Sequence, residues 1–279
     1  MTLAFALIMG LVQALTEFLP VSSSGHLSIL QNLFGVSEIG DIGVLFDVML
    51  HFGTLISVVI MYRREIWDMI RAFFGLFRLR RPDEPAKSTQ ERGSARLILL
   101  VVVASVPLFV ILPVKDYIES LYGSLLFVGL ALIVTGLLLF FSDKVKNGTK
   151  NENSATVLDA LLVGCLQAVA TAPGISRSGS TITGGLLRGF DRGFAVRFSF
   201  ILSIPAVLGA NILSLIDALR EGIDVSALPV YLAGVAVAAV VGCFAIKLVR
   251  LLAEKGRFGR FAYYCWIVGA AVVIASFFI

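Results

Sequence analysis

Two polar segments interrupt an otherwise apolar chain, and they hold most of the side chains that could do chemistry. The first, residues 13–26, reads QALTEFLPVSSSGH and supplies a carboxylate, three hydroxyls in a row and an imidazole. The second, residues 167–181, reads QAVATAPGISRSGST and supplies an arginine among hydroxyls and glycines. A hydroxyl becomes a good nucleophile when a base takes its proton, and an arginine in apolar surroundings normally faces an anion. Together the segments predict chemistry on an anionic group.

The second segment predicts a phosphate site. A guanidinium at membrane depth, such as that of Arg177, is costly unless it is paired with an anion or a carbonyl. Gly174 lets backbone N–H groups approach a ligand, and the helix expected after the break adds its positive end. The hydroxyls available beside them are those of Ser176, Ser178, Ser180 and Thr181. The alternative is that the hydroxyls only cap a helix while Arg177 extends towards water.

The first segment predicts a carboxylate that needs a cation. Glu17 lies four residues after Gln13, so both side chains share one face of a helix that stops near Pro20. Beside a phosphate site, a divalent cation with oxygen ligands, Mg²⁺ or Ca²⁺, is the expected partner of Glu17. A salt bridge from Glu17 to Arg177 is the alternative, and the two do not exclude each other.

The serines and the histidine of the first segment predict a nucleophile with its acid and base. One helical turn after the break would bring Ser23 and His26 together. The alternative is that the serines bond the first N–H groups of the following helix and that the histidine is structural. Asp47 and His51, four residues apart, are expected to support the site from behind, unless they are ordinary polar residues at a membrane boundary.

The composition of the chain predicts an all-α polytopic membrane protein. Of its 279 residues, 58% are hydrophobic and 15% are charged, and the mean hydropathy is +0.93. The net charge of +4 does not indicate a nucleic-acid partner, because Lys and Arg cluster in short connections between apolar runs. The three cysteines lie in apolar runs without paired spacing, so neither disulfides nor a zinc site is predicted.

Six apolar segments are long enough to cross a membrane, which takes about 20 residues per helix. They cover residues 44–62, 97–114, 123–142, 193–216, 227–249 and 261–279. Two further apolar regions, 1–35 and 155–190, are broken near the middle by Pro, Gly and Ser. Non-helical backbone at membrane depth must be enclosed by protein or line a cavity. Both regions are therefore predicted to be re-entrant helical hairpins.

An internal repeat organises these elements into one membrane domain. A shift of 154 positions aligns Gln13 with Gln167 and Ser22 with Ser176. The first repeat covers residues 1–142 and the second residues 155–279, each with a hairpin followed by three spans. An odd number of spans inverts the second repeat relative to the first, so the hairpin tips are expected to meet near mid-membrane.

The connections predict the orientation of the domain. Residues 63–96 carry nine Lys and Arg residues and are predicted to form a cytoplasmic loop, whereas the connections at 115–122 and 217–226 are mainly acidic and should face outwards. The first hairpin then enters from the outer side and the second from the cytoplasmic side.

These motifs resemble those of the bacterial undecaprenyl-diphosphatases of the bacitracin-resistance type. The family signatures are a Glu/Gln-x-x-x-Glu segment leading into Pro-Val-Ser-Ser-x-Gly-His, and a Pro-Gly-x-Ser-Arg-Ser-x-x-Thr motif. Here they are complete and in order, at residues 13–17, 20–26 and 173–181. The resemblance covers essentially the whole chain.

The resemblance implies hydrolysis of undecaprenyl diphosphate to undecaprenyl phosphate and inorganic phosphate. This reaction recycles the lipid carrier of cell-wall synthesis and gives bacitracin resistance. Transferred by position, Ser23 or a neighbour and His26 belong to the catalytic turn, and Ser176, Arg177 and Thr181 belong to diphosphate binding. Together with the residues singled out above, the expected catalytic residues are Glu17, Ser23, His26 and Arg177, and the expected substrate-binding residues are Ser22, Ser24, Gly174, Ser176, Ser178 and Thr181. The metal-binding residues are Glu17 and Gln13; Gln13 is the neutral variant of a position that is often Glu, so metal affinity is expected to depend on Glu17 and on oxygens of the substrate.

A membrane transporter or flippase for a polyprenyl phosphate is the alternative function, because inverted repeats with broken helices are common in transporters. A histidine beside a hydroxyl cluster favours the hydrolase, since transport of a phosphate does not need it. The expected location is the bacterial plasma membrane, with the lipid bilayer and the lipid diphosphate as partners and the site open to the extracytoplasmic side. A homodimer is one expected oligomeric state.

Overall fold

The computed structural model describes residues 2–33, 40–77, 89–221 and 228–278. The predicted connections fall in part on residues 34–39, 78–88 and 222–227, which lie outside the described residues. Within the described residues the chain is helical, and its strand pairing is a single isolated bridge between Lys150 and Phe190. The all-α prediction is confirmed.

The first half of the chain contains seven α-helices among its described residues. They are α1 (Leu3–Phe18), α2 (Ser23–Leu33), α3 (Gly40–Met61), α4 (Arg63–Phe77), α5 (Thr89–Ser105), α6 (Lys115–Ser120) and α7 (Leu125–Ser142). The second half contains α8 (Val157–Val169), α9 (Arg177–Leu187), α10 (Arg192–Glu221), α11 (Leu228–Glu254) and α12 (Arg260–Ala275).

Several of these helices are long and apolar enough to cross a membrane, as expected of a multi-pass membrane protein. By length and composition, four described stretches qualify: Thr89–Gly123, Leu125–Ser142, Arg192–Leu213 and Leu228–Glu254. A fifth is reached if α3 and α4, which meet at an angle of 81°, are counted as one broken span. The last predicted span coincides with α12, whose 16 residues extend only about 24 Å.

The predicted loop at 63–96 contains a helix. Its charges led to the loop interpretation, but α4 places Trp67, Ile70 and Phe74 at helical spacing, and all three side chains are exposed. An apolar stripe opposite charged residues is typical of a helix that lies along a membrane surface.

Two glycines that are 154 positions apart make equivalent close contacts between helices. Gly10 on α1 lies so close to Gly234 on α11 that a Cβ there would be 2.4 Å from the Gly234 oxygen. Its counterpart Gly164 on α8 has the same relation to Ala104 on α5, with a Cβ-to-oxygen distance of 2.2 Å. Small residues allow this approach of two backbones. The first helix of each half is thereby packed against a long helix of the other half.

Candidate active site

The first polar segment forms the break between α1 and α2. Pro20 has no N–H for a helical hydrogen bond and disfavours helical backbone at Leu19, whose ψ is 139°. Ser22 then adopts a positive φ of 70°, which is uncommon for a residue with a side chain. The chain turns back here, and α2 begins at Ser23.

The second polar segment forms the break between α8 and α9. Gly174 has a φ of 91°, and a Cβ on it would lie 2.6 Å from the backbone oxygen of Val128 on α7. Thr135, also on α7, donates to the Gly174 carbonyl at 2.8 Å and accepts from the N–H of Ser176 at 3.0 Å. Helix α7 therefore holds this turn in place.

One serine caps the helix after each break. Ser22 Oγ accepts from the backbone N–H three residues later at 3.3 Å, and Ser176 Oγ accepts from its equivalent at 3.1 Å. Ser24 and Ser178 lie 3.3 Å from these cap hydroxyls, at matching positions. Capping, the alternative considered for the serines, thus accounts for Ser22 and Ser176 but not for Ser23.

The two turns are in contact with each other. Gly25 on α2 is packed so closely on the second turn that a Cβ there would lie 3.1 Å from the Cα of Gly174. This contact brings the Glu17 side chain of the first half within reach of the Arg177 side chain of the second half.

Glu17 lies where the two halves meet. One of its carboxylate oxygens pairs with the guanidinium of Arg177, which is 160 positions away in the sequence. The other oxygen accepts from Ser23 Oγ at 2.6 Å and from Gln13 Nε2 at 3.2 Å. His51 Nε2 lies 3.9 Å from the same oxygen. The salt bridge to Arg177, the alternative to the cation role of Glu17, is present, and the carboxylate accepts hydrogen bonds from both polar segments.

The ion pair compensates for burial. Glu17 is 7% exposed, and a carboxylate this far from water requires a cation and hydrogen bonds. The site residues that are partly exposed include Ser23, His26 and Arg177, whereas Ser176 is buried. An entering anion can therefore touch the first three directly.

His26 makes a different contact from the one predicted. Its Nδ1 lies 2.7 Å from the backbone oxygen of Ser22, and its Nε2 lies 2.7 Å from the hydroxyl of Tyr264 on α12. Ser23, the expected partner of His26, bonds Glu17 instead. The base nearest to the Ser23 hydroxyl is thus the carboxylate.

Of the remaining predicted residues of the second segment, Thr181 joins α9 to α10 and Ser178 is buried. Thr181 Oγ1 is 2.6 Å from Ser199 Oγ on α10 and 2.9 Å from the Arg177 carbonyl. Ser178 is 3% exposed. Substrate binding by Thr181 and Ser178 stays a prediction, since in this arrangement their hydroxyls bond other groups of the protein.

His51 lies behind Glu17, as expected. Its Nδ1 is 2.8 Å from the backbone oxygen of Asp47, which directs Nε2 towards Glu17. The Asp47 side chain is half-buried on the same helix.

The donors near Glu17 fit a cation that is shared with the substrate. Among the described residues there is no group of three or more His, Cys, Asp or Glu side chains that could hold a metal ion. Gln13 Oε1, however, is buried without a hydrogen-bond partner, and it belongs to the residue that bonds Glu17. One carboxylate and one amide oxygen can complete a Mg²⁺ shell only with water and phosphate oxygens.

Two residues at the site were not predicted. Thr135 is a hydroxyl within the apolar run of α7, a signal that could have been followed. Tyr264 had no such signal, because an aromatic residue on an apolar helix is ordinary.

The chain is similar over nearly its whole length to known proteins. Residues 6–271 match the family model described as "Bacitracin resistance protein BacA". A relative from Carboxydothermus hydrogenoformans is 40% identical over 272 residues, covering 96% of this chain and 95% of its own. One from Alkaliphilus metalliredigens is 41% identical over 277 residues, covering 99% of each chain. One from Methanobrevibacter smithii is 41% identical over 276 residues, covering 97% and 96%. Each of the three is named undecaprenyl-diphosphatase.

Proposed function

The chain belongs to the bacitracin resistance protein BacA family, and from that premise we propose how its residues share the work of the reaction. The reaction is hydrolysis of undecaprenyl diphosphate to undecaprenyl phosphate and inorganic phosphate, the activity that the names of the relatives describe. Those names describe phosphatases, so the transporter alternative is not favoured.

One observation carries the proposal: the two oxygens of Glu17 have different partners. One pairs with Arg177, and the other accepts from Ser23 at 2.6 Å. A guanidinium has five N–H donors, so Arg177 can bind phosphate oxygens while it remains near Glu17. The same carboxylate thus orients the group that binds the anion and the hydroxyl that attacks it.

In the first step, Ser23 Oγ attacks the terminal phosphorus and its proton passes to Glu17. The bond from that phosphorus to the bridging oxygen breaks, and its electron pair leaves with the lipid monophosphate. Arg177 stabilises the negative charge on the phosphoryl oxygens as the bond breaks. The helix beginning at Arg177 directs its first N–H groups to the same region.

In the second step, water attacks the phosphoserine and releases inorganic phosphate. His26 is placed to take the water proton, because its Nδ1 faces a carbonyl and its Nε2 can accept. Glu17 returns its proton to Ser23 as the serine oxygen leaves phosphorus. The imidazolium then passes its extra proton to the departing phosphate, so that atoms and charges balance over one turnover.

A divalent cation, Mg²⁺ or Ca²⁺, is part of the proposal. Glu17 and the unpartnered oxygen of Gln13 would hold it. When bound, it would neutralise charge on the diphosphate.

For the membrane arrangement, we propose six spans and two re-entrant hairpins, α1–α2 and α8–α9, in inverted halves. The matching caps, the contact between the turns and the paired packing of Gly10 and Gly164 support it. The basic connections favour a site open to the extracytoplasmic side of the bacterial plasma membrane. The homodimer stays a prediction.

The test is trapping of labelled phosphate on the purified protein. With a polyprenyl diphosphate labelled in its terminal phosphate, rapid acid quenching should leave label on the wild-type chain, and Ser23→Ala should leave none and release no phosphate. Ser28→Ala is the matched control, because Ser28 is a buried hydroxyl on the same helix that bonds the Tyr122 carbonyl.

Two results would contradict the proposal. Full phosphate release by Ser23→Ala would exclude the serine as nucleophile and favour direct attack by water. Absence of phosphate release by the wild-type chain with either cation supplied would reopen transport.

A further inference from the structure

We propose that Tyr264 positions His26: its hydroxyl holds the imidazole in place at Nε2 and carries the proton of water to that nitrogen. The proposal rests on the function proposed above, in which His26 takes the proton of water. Nothing in the two sequence motifs includes Tyr264, which lies 238 positions after His26 and on the last described helix.

The tautomer follows from the two contacts of the imidazole. Nδ1 lies 2.7 Å from the Ser22 backbone oxygen, and a carbonyl oxygen can only accept, so Nδ1 bears the hydrogen. In the neutral ring Nε2 then carries a lone pair. The Tyr264 hydroxyl, 2.7 Å from Nε2, donates to it.

The hydroxyl suits both states of the ring. When Nε2 has taken a proton, the imidazolium donates and the tyrosine oxygen accepts, because a phenol can do either. A phenylalanine could do neither. Because the hydroxyl fills the Nε2 lone pair, the water proton reaches the ring through it: the hydroxyl gives its own proton to Nε2 and takes one from water. Tyr264 therefore supports His26 before and after proton transfer without a change of rotamer.

The ring of Tyr264 restrains the imidazole as well. The two ring planes are nearly parallel, at 7°, and their centroids are 5.6 Å apart. Rotation of the imidazole would break both hydrogen bonds. Helix α12 is held in turn by close packing on α7, where Gly129 and Gly269 meet.

His26 and Tyr264 are both accessible at the surface of the helix bundle. Tyr264 is 44% exposed, and His26, like Ser23 and Arg177, is partly exposed. Because Nδ1 is held by the carbonyl, His26 exchanges protons through Nε2, the side on which Tyr264 lies. The tyrosine thus stands between the imidazole and the outside of the helix bundle.

The experiment compares Tyr264→Phe with Tyr263→Phe. The two tyrosines are neighbours and both are exposed, but Tyr263 packs against Trp266 and not against the histidine. Each substitution removes one hydroxyl and keeps the ring. Tyr264→Phe should lower kcat by about fivefold, the usual value of one hydrogen bond, and leave KM within about twofold. Tyr263→Phe should change neither.

Nitrogen NMR gives a readout that needs no hydrolysis. The chain has only two histidines, so ¹⁵N-histidine labelling with His51→Gln leaves the resonances of His26 alone. In the otherwise wild-type protein Nδ1 should appear protonated and Nε2 as a hydrogen-bonded acceptor. With Tyr264→Phe added, the Nε2 resonance should move towards that of an acceptor without a donor.

The outcomes separate this proposal from the reaction it rests on. An Nε2 resonance that is unchanged by Tyr264→Phe, or equal loss of kcat in both tyrosine variants, overturns the positioning role. If the wild-type chain releases no phosphate but the Nε2 resonance still moves, the contact stands and the proposed reaction fails.

Discussion

Removing Arg177 should destabilise the protein more than removing the charge of its partner Glu17. The reason is unequal burial, since the Glu17 side chain is 6% exposed and that of Arg177 is 21% exposed. Arg177→Ala leaves a buried carboxylate without its guanidinium. Glu17→Gln leaves a guanidinium that can still reach water.

The magnitudes follow from what remains after each change. Breaking a buried ion pair from one side costs about 3–5 kcal/mol. Glu17 would keep hydrogen bonds from Ser23 and Gln13, so the lower end, about 3 kcal/mol, applies to Arg177→Ala. Hydration of the freed Arg177 limits Glu17→Gln to about 1 kcal/mol. The double variant leaves no unpaired charge and should cost about 2 kcal/mol, not the additive sum of about 4.

Thermal unfolding in detergent measures these costs. For a chain of this size, about 1 kcal/mol lowers Tm by about 2 °C. Arg177→Ala should therefore lower Tm by about 6 °C and Glu17→Gln by about 2 °C. Arg260→Ala, at an exposed position at the start of α12, is the control and should change Tm by less than about 1 °C. Equal losses in the two single variants, or additive losses in the double variant, would refute the coupling. All variants of the pair should lose phosphate release.

Three further predictions concern the turn, the open end of the second hairpin and the cation. Gly174→Ala combines a positive φ with a Cβ 2.6 Å from a backbone oxygen, so it should destabilise the protein by more than about 2 kcal/mol. Gly209→Ala is the control and should not destabilise it, because a Cβ there meets nothing within 4 Å. A normal Tm for Gly174→Ala would count against the turn geometry. Burial alone would raise the pKa of Asp159, but bonds from Lys150, Thr156 and Arg188 hold that pKa well below its usual range. The contribution of Asp159 to stability should therefore be constant above about pH 4 and fall below it, because the carboxyl of the unfolded chain takes up a proton first. The decrease of Tm between about pH 6 and pH 3 should be smaller in Asp159→Asn than in the wild-type protein. An equal decrease in both would exclude this group. Gln13→Glu adds a second carboxylate beside Glu17 and should lower the Mg²⁺ concentration for half-maximal phosphate release, and an increase would contradict Gln13 as a cation ligand.

The helices that the sequence predicted well are those whose signal is local. Apolar length alone located the long helical stretches at Thr89–Gly123, Leu125–Ser142 and Leu228–Glu254, and proline and glycine located the breaks. The helix α4 was missed because the connection was interpreted from charge. Its apolar stripe was present in the sequence but competes with five charged residues on the same helix.

For the site, too, only features that depend on local sequence could be predicted. The sequence determined which groups are available: a carboxylate, a guanidinium, hydroxyls and an imidazole in two segments related by 154 positions. It also left the salt bridge between Glu17 and Arg177 as one of two open possibilities. These conclusions depend only on residue type, spacing and the cost of charge in apolar surroundings.

Tertiary structure decided which group bonds which. Ser23 and His26 lie within one helical turn, yet the positive φ at Ser22 and the capping of α2 turn the serine towards Glu17, while the imidazole turns towards Tyr264 on α12. No local pattern contains that choice, because both partners come from other helices. Hydrogen-bond partners depend on where α1 and α12 pack, and packing is a property of the whole bundle.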